Sequence, residues 1–246
     1  MPFTLSHSAA VLPILRSKYF SATGLIIGTM VPDFEYFFRM NVQGIYGHTW
    51  WGVLYFDIPV AFFLALLFHI VVKKNLIDNL PVFLQARFQD VRNSDFVKYL
   101  KSHIPAFLIS VVIGTATHIV WDGFTHEHQY FVKALPQIYE GRVVPFNGAE
   151  YPLWYALQLA STVVGGLFVL AYVILVIKPV KGEFSKPRLA YWISLVIFVA
   201  VIVYLRMQYA FSNLRYVVAI ITMCSAFCIG ITILGLVPFK KKDQGG

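Results

Sequence analysis

Charge is scarce in this chain. Of its 246 residues only 13% are Asp, Glu, Lys or Arg, where soluble domains carry about 25%. Acidic groups are the rarer sign, 12 against 20 Lys and Arg, for a net charge of +8. Cysteine is scarcer still. Cys224 and Cys228 stand one helical turn apart in an apolar run, which excludes a disulfide framework and a CxxC redox pair and leaves two small apolar side chains. There is no GxSxG, no phosphate-binding P-loop, no GxGxxG after a strand and no haem-attachment CxxCH, so the motif-borne chemistries fall away. Basic and aromatic residues do not interleave as a nucleic-acid groove requires. The start, MPFTLSHSAAVLPIL, has no basic region ahead of its apolar residues and reads as a retained N-terminus. No internal repeat is visible.

What remains is apolar. Hydrophobic residues make up 58% of the chain, and the mean hydropathy is +0.68. Five runs, 51–72, 104–121, 153–177, 189–205 and 216–237, are each long enough to cross about 30 Å of hydrocarbon at 1.5 Å per residue. In the first 50 residues the apolar stretches 8–15 and 20–31 are short, and VPDFE follows; they predict short helices, re-entrant or interfacial. The expectation is an all-α polytopic transmembrane helical bundle, one integral membrane domain over 1–246. Segment 73–103, with apolar residues interspersed among charges, predicts an amphipathic connector.

Lys and Arg orient the spans. Six lie in 73–103, four in 178–188, and Lys240, Lys241 and Lys242 in the tail; segment 122–152 has only Lys133 and Arg142. The positive-inside rule puts the basic segments and the C-terminus in the cytoplasm. His48, His118, Asp122, His126 and Gln158 then gather at the outer face from three separate stretches.

The densest polar stretch is THIVWDGFTHEH, 117–128. His118, Asp122 and His126 are spaced i, i+4, i+8, so each step turns about 40° and climbs about 6 Å on a helix. Neighbours can share an ion, as two His at i, i+4 do on zinc-protease helices. His118 and His126 are about 12 Å apart if the helix is continuous. Either Gly123 breaks the helix and folds His126 back, or two ions sit side by side with Asp122 between them. Ionisable residues at membrane depth are costly and by default functional, and they recur as His7, Asp33, His48 and Asp57. Imidazole and carboxylate together suit zinc, manganese or iron. Glu35 and Glu127 are candidate general bases. His69 and His103 read as interface residues and His128 as solvated.

MPFTLSHSAAVLP, GTMVPDFEYF, GHTWWGVLYFDIP, THIVWDGFTH and LQLASTVVG resemble, in order, the bacterial membrane proteins grouped as domain-of-unknown-function family 4184, over nearly the whole chain. That family in turn looks distantly like inner-membrane proteins labelled membrane-bound metal-dependent hydrolases. The resemblance implies a site of His7, Asp33, His48, Asp57, His118, Asp122, His126 and Gln158. His118, Asp122, His48 and Asp33, then His7 and His126, are the expected metal ligands, with Asp57 orienting a ligand imidazole. Gln158 and Ser161 are expected to hydrogen-bond a bound water or substrate oxygen. Together these readings predict a divalent metal, zinc first, in a hydrolase of the bacterial inner membrane whose site faces the periplasm. Its partners would be membrane lipids, its substrate a lipid or lipid-linked phosphate or ester. The alternatives are a metal or solute transporter and a metal-stabilised structural protein. Transport is disfavoured because 189–205 and 216–237 carry almost no polar residues.

Overall fold

A lipid-facing backbone has no water to bond with, so each crossing segment must close its own hydrogen bonds as a helix. The computed structural model, which describes residues 4–209 and 215–237, has five helices apolar and long enough to cross: Val53–Asp78, Phe96–Thr125, Leu153–Val176, Leu189–Gln208 and Tyr216–Leu236. At 20 to 30 residues they are about 30–45 Å long. The other described helices are short, and loops and one β-hairpin join them. Lys240, Lys241 and Lys242 lie outside the described residues.

The first two spans are longer than hydropathy predicts. The first runs on through Lys73 and Lys74 to Asp78 and stops before Pro81. Lys73 is buried there because its ammonium donates to the Ser94 carbonyl and hydroxyl. The second span starts at Phe96 and is kinked at His103 (φ −131°, ψ 26°), two residues before Pro105, whose ring disfavours helical geometry upstream. The connector therefore shrinks to the helix Val82–Asn93 and its flanks. His69, expected at the interface, is buried and stacked on Phe96 with ring centroids 4.2 Å apart.

The described residues fall into two compact units. One comprises Tyr36–Gln43, Phe63–Tyr99 and the chain from Lys178 onward. In it the fourth and fifth spans pack at Gly230 against Leu195, Asn75 donates to the Leu234 and Gly235 carbonyls, and Arg92 pairs with Asp78 through two nitrogens.

The other unit holds the residues up to Glu35, Gly44–Phe62 and Leu100–Ile177. Its N-terminal part is a 3₁₀ segment Thr4–Ile14, a helix Ala22–Gly28 capped by Ser21, and a 3₁₀ turn Val31–Asp33, none long enough to cross a bilayer. Missing side chains let these pieces lie directly on the spans. A Cβ on Gly28 would sit 2.5 Å from the Val111 carbonyl, and one on Gly114 2.5 Å from that of Leu25. Backbone thus meets backbone between Ala22–Gly28 and the second span, as small residues allow between membrane helices. Gly165 of the third span does the same for the 3₁₀ segment at Ser6, whose hydroxyl donates to the Thr162 carbonyl (2.9 Å). A β-hairpin, Val143–Phe146 with Ala149–Pro152, turns at Asn147 and Gly148, both at positive φ.

Candidate metal centre

Three elements deliver the four residues of the site. His118 and Asp122 lie one turn apart on the second span, Asp33 ends the 3₁₀ turn, and His48 comes from the loop before the first span. Each offers one atom, and the four atoms lie within 4.8 Å of one another. His48 Nε2 is 3.2 Å from His118 Nε2 and 3.4 Å from both Asp33 Oδ1 and Asp122 Oδ2. His118 Nε2 is 3.4 Å from Asp122 Oδ2 and 3.7 Å from Asp33 Oδ1. Charge-assisted hydrogen bonds are shorter, about 2.7–2.9 Å. The donors point at a common space more than at one another.

Three of the four donors are supported from outside the cluster. His118, wholly buried, meets the Thr29 carbonyl at 2.8 Å through Nδ1. A carbonyl only accepts, so Nδ1 carries the hydrogen and Nε2 keeps its lone pair for the site. The Gly28–Gly114 contact brings Thr29 that close. Asp33 accepts from the Thr4 hydroxyl at Oδ2 (2.7 Å), leaving Oδ1 to the cluster. His48 follows a loop whose three amides, of Ile45, Tyr46 and Gly47, donate to the Glu35 carboxylate at 2.9, 2.7 and 3.0 Å.

Electrostatics favour a cation here. Burial opposes charge on His48, yet the Asp122 and Asp33 carboxylates close beside it outweigh burial and push its pKa up to about 10. Burial would raise the Asp33 carboxyl, but His118 and His48 hold it below the usual range. A metal ion would supply positive charge in place of the His48 proton.

The remaining expected residues divide. His7 and His126 flank Asp122: His7 Nε2 is 3.4 Å and His126 Nδ1 3.5 Å from Oδ1. Burial lowers His7 to about 3 and lowers His126 as well. The second span does not break at Gly123; it runs through Thr125 with His126 just beyond, and Gly123 makes room for the Phe131 ring. Gln158 meets His126 Nε2 at 2.8 Å. Ser161 donates to its own helix at Leu157 (2.7 Å) and lines an apolar groove instead of the donor cluster. Glu35 spends its carboxylate on three amides and is a loop anchor, where a general base was expected. Asp57 is fully buried, but neither oxygen hydrogen-bonds to an imidazole or to anything else described, so the expected orienting bond is missing. Glu127 is exposed beside His128. Thr4 and the Thr29 carbonyl went unread in the sequence, which holds no local signal for either.

These features define a multi-pass helical membrane protein with a buried His/Asp cluster fit to hold a divalent ion. The chain belongs to the family described as Domain of unknown function (DUF4184), whose model matches residues 1–237. No curated protein and no solved structure matches it.

Proposed function

We propose that the protein is a metal-dependent hydrolase of the bacterial inner membrane, its site at the periplasmic face and its C-terminus cytoplasmic, acting on a lipid or lipid-linked phosphate or ester. The observation that carries this reading is the convergence of His118 Nε2, its lone pair freed by the Thr29 carbonyl, with His48, Asp33 and Asp122. Zinc suits the spacing best. Donors about 2.0–2.1 Å from a tetrahedral centre lie about 3.3–3.4 Å from one another; five of the six donor pairs here are 3.2 to 3.7 Å apart, and all lie within 4.8 Å. A bound divalent ion supplies an acidified water and polarises a phosphoryl or acyl oxygen.

The substrate class rests on location. Two apolar grooves, of about 470 and about 530 Å³, share Ala10 and Trp121 and run along the third span past Leu157 and Phe168. Neither is lined by the four donors, but the Trp121 ring stands edge-on to His7 at 5.8 Å. An acyl chain in these grooves would place its headgroup beside the cluster.

One observation favours a second reading. Four protein donors make a closed set, the hallmark of structural zinc, where catalytic zinc keeps a position open. On that reading the ion staples the N-terminal segments to the second span. The test is metal content of the detergent-purified protein beside His118→Ala and Asp122→Ala, followed by phospholipid and lipid-phosphate hydrolysis with the metal found. Metal lost in both variants together with turnover by wild type supports the hydrolase. Metal without turnover leaves the staple, and wild type that takes up no metal on reconstitution removes both.

A further inference from the structure

Asp122 has two oxygens, and the four-donor cluster uses one. Oδ2 faces His48 and His118; Oδ1 faces His7 Nε2 at 3.4 Å and His126 Nδ1 at 3.5 Å. His7 is only 1% exposed, and neither of its ring nitrogens has a hydrogen-bond partner among the described residues. Buried polar groups in native proteins are almost always paired, so this imidazole is made for something not yet named.

His7 and His118 face different oxygens of Asp122, and their rings stack, with centroids 3.9 Å apart and planes 29° apart. The lone pair of an imidazole nitrogen lies in the ring plane, so the two lone pairs lie in separate planes. That arrangement suits two ions side by side better than one ion shared between the stacked rings. Paired catalytic metals stand about 3.5–4 Å apart, close to the separation of these rings.

We propose a second metal site, formed by His7 Nε2, Asp122 Oδ1 and His126 Nδ1, with Asp122 bridging it to the first. The inference rests on reading Asp33, His48, His118 and Asp122 as a metal site. Gln158 completes it from behind. Its side-chain amide lies 2.8 Å from His126 Nε2, and the two ends of a carboxamide have the same shape. With the oxygen toward the ring, Nε2–H donates to it and Nδ1 is left bare. Thr125 Oγ1 and the Asp122 carbonyl also stand 3.3 Å from Nδ1; without an ion Nδ1–H donates to that carbonyl, and metal binding requires the other tautomer, with Nε2–H on the Gln158 oxygen.

The two sites differ in kind. The first has four protein donors and is closed. The second has three and leaves room for water or a substrate oxygen, the arrangement of catalytic sites. A bridged pair with one open member suits phosphate esters, whose attacking and leaving oxygens a metal pair can clamp. The reactive ion would then be the second, and it lies on the side of Trp121 and the apolar grooves.

The experiment uses the full chain in detergent, stripped and reloaded with Mn²⁺, with metal counted and the electron paramagnetic resonance spectrum recorded. Two ions per chain with an exchange-coupled spectrum are expected, falling to one ion with an isolated-ion spectrum in His7→Gln and in His126→Gln. One isolated ion in wild type, unchanged by His7→Gln, overturns the second site and leaves the first standing. Two uncoupled ions overturn the Asp122 bridge. No ion in wild type overturns the first site and this one with it. The wild-type spectrum decides the matter even where a variant fails to fold.

Discussion

Asp33 and Glu35 are two residues apart and serve the cluster in opposite ways, one by facing it and the other by holding the loop that brings His48. Glu35→Gln removes the charge from three converging amides and turns an amide donor toward them. Metal affinity is expected to fall about 10–100-fold, the usual effect of losing support behind a ligand, measured by competition against a chromophoric chelator. Asp57 calls for the reverse. An unsatisfied buried polar group costs about 1–3 kcal/mol and a charged one more, and neither Asp57 oxygen has a hydrogen-bond partner among the described residues. Asp57→Asn is expected to raise the unfolding temperature in detergent without changing metal stoichiometry; a lower temperature would mean the carboxylate has a partner after all. Sequence spacing made His118 and Asp122 legible because i, i+4 neighbours on a helix must share a face. It left one ion or two undecided at His126, because that turned on whether the helix broke at Gly123. Roles set across the fold, such as those of the Thr29 carbonyl and the Glu35 carboxylate, have no local trace.

At the scale of elements, the Gly28–Gly114 contact is the hinge of the design. Gly114→Val would push Ala22–Gly28 off the second span and withdraw the Thr29 carbonyl from His118. A destabilisation of about 1–3 kcal/mol, typical of overpacking, is expected together with loss of the bound metal. Gly182→Val, whose Cβ would meet only the Phe184 ring at 3.8 Å, should change neither and serves as the control. The five spans could be read from hydropathy because each is a long run of one character. Their ends could not: Lys73 extends the first span only because Ser94 is there to receive its ammonium. The hairpin at 143–152 carries the strongest short hairpin signal, Asn147-Gly148, but its strands are four residues each and almost wholly exposed, too short to show a strand period.

For the whole molecule, a bound ion stabilises by mass action, about 2.7 kcal/mol at a hundredfold excess over its Kd. Chelator is expected to lower the unfolding temperature of wild type and to leave that of Asp122→Ala unmoved, read by differential scanning fluorimetry. The proposed orientation is tested at the exposed hairpin tip. Gly148→Cys, in a background with Cys224 and Cys228 replaced, should react with an impermeant maleimide added to intact cells. Labelling only after lysis would reverse the topology and put the cluster at the cytoplasmic face.

The donors come from positions 7 to 126, and the first of them are synthesised long before the last. Until the second span has left the ribosome and entered the bilayer, His7, Asp33 and His48 have no Asp122 to converge on. Capture of an ion at this cluster would therefore be a late event in biogenesis. A nascent chain arrested before residue 118 would expose unfilled ligands to quality control, and metal starvation would be felt by newly made protein before it reached molecules already loaded.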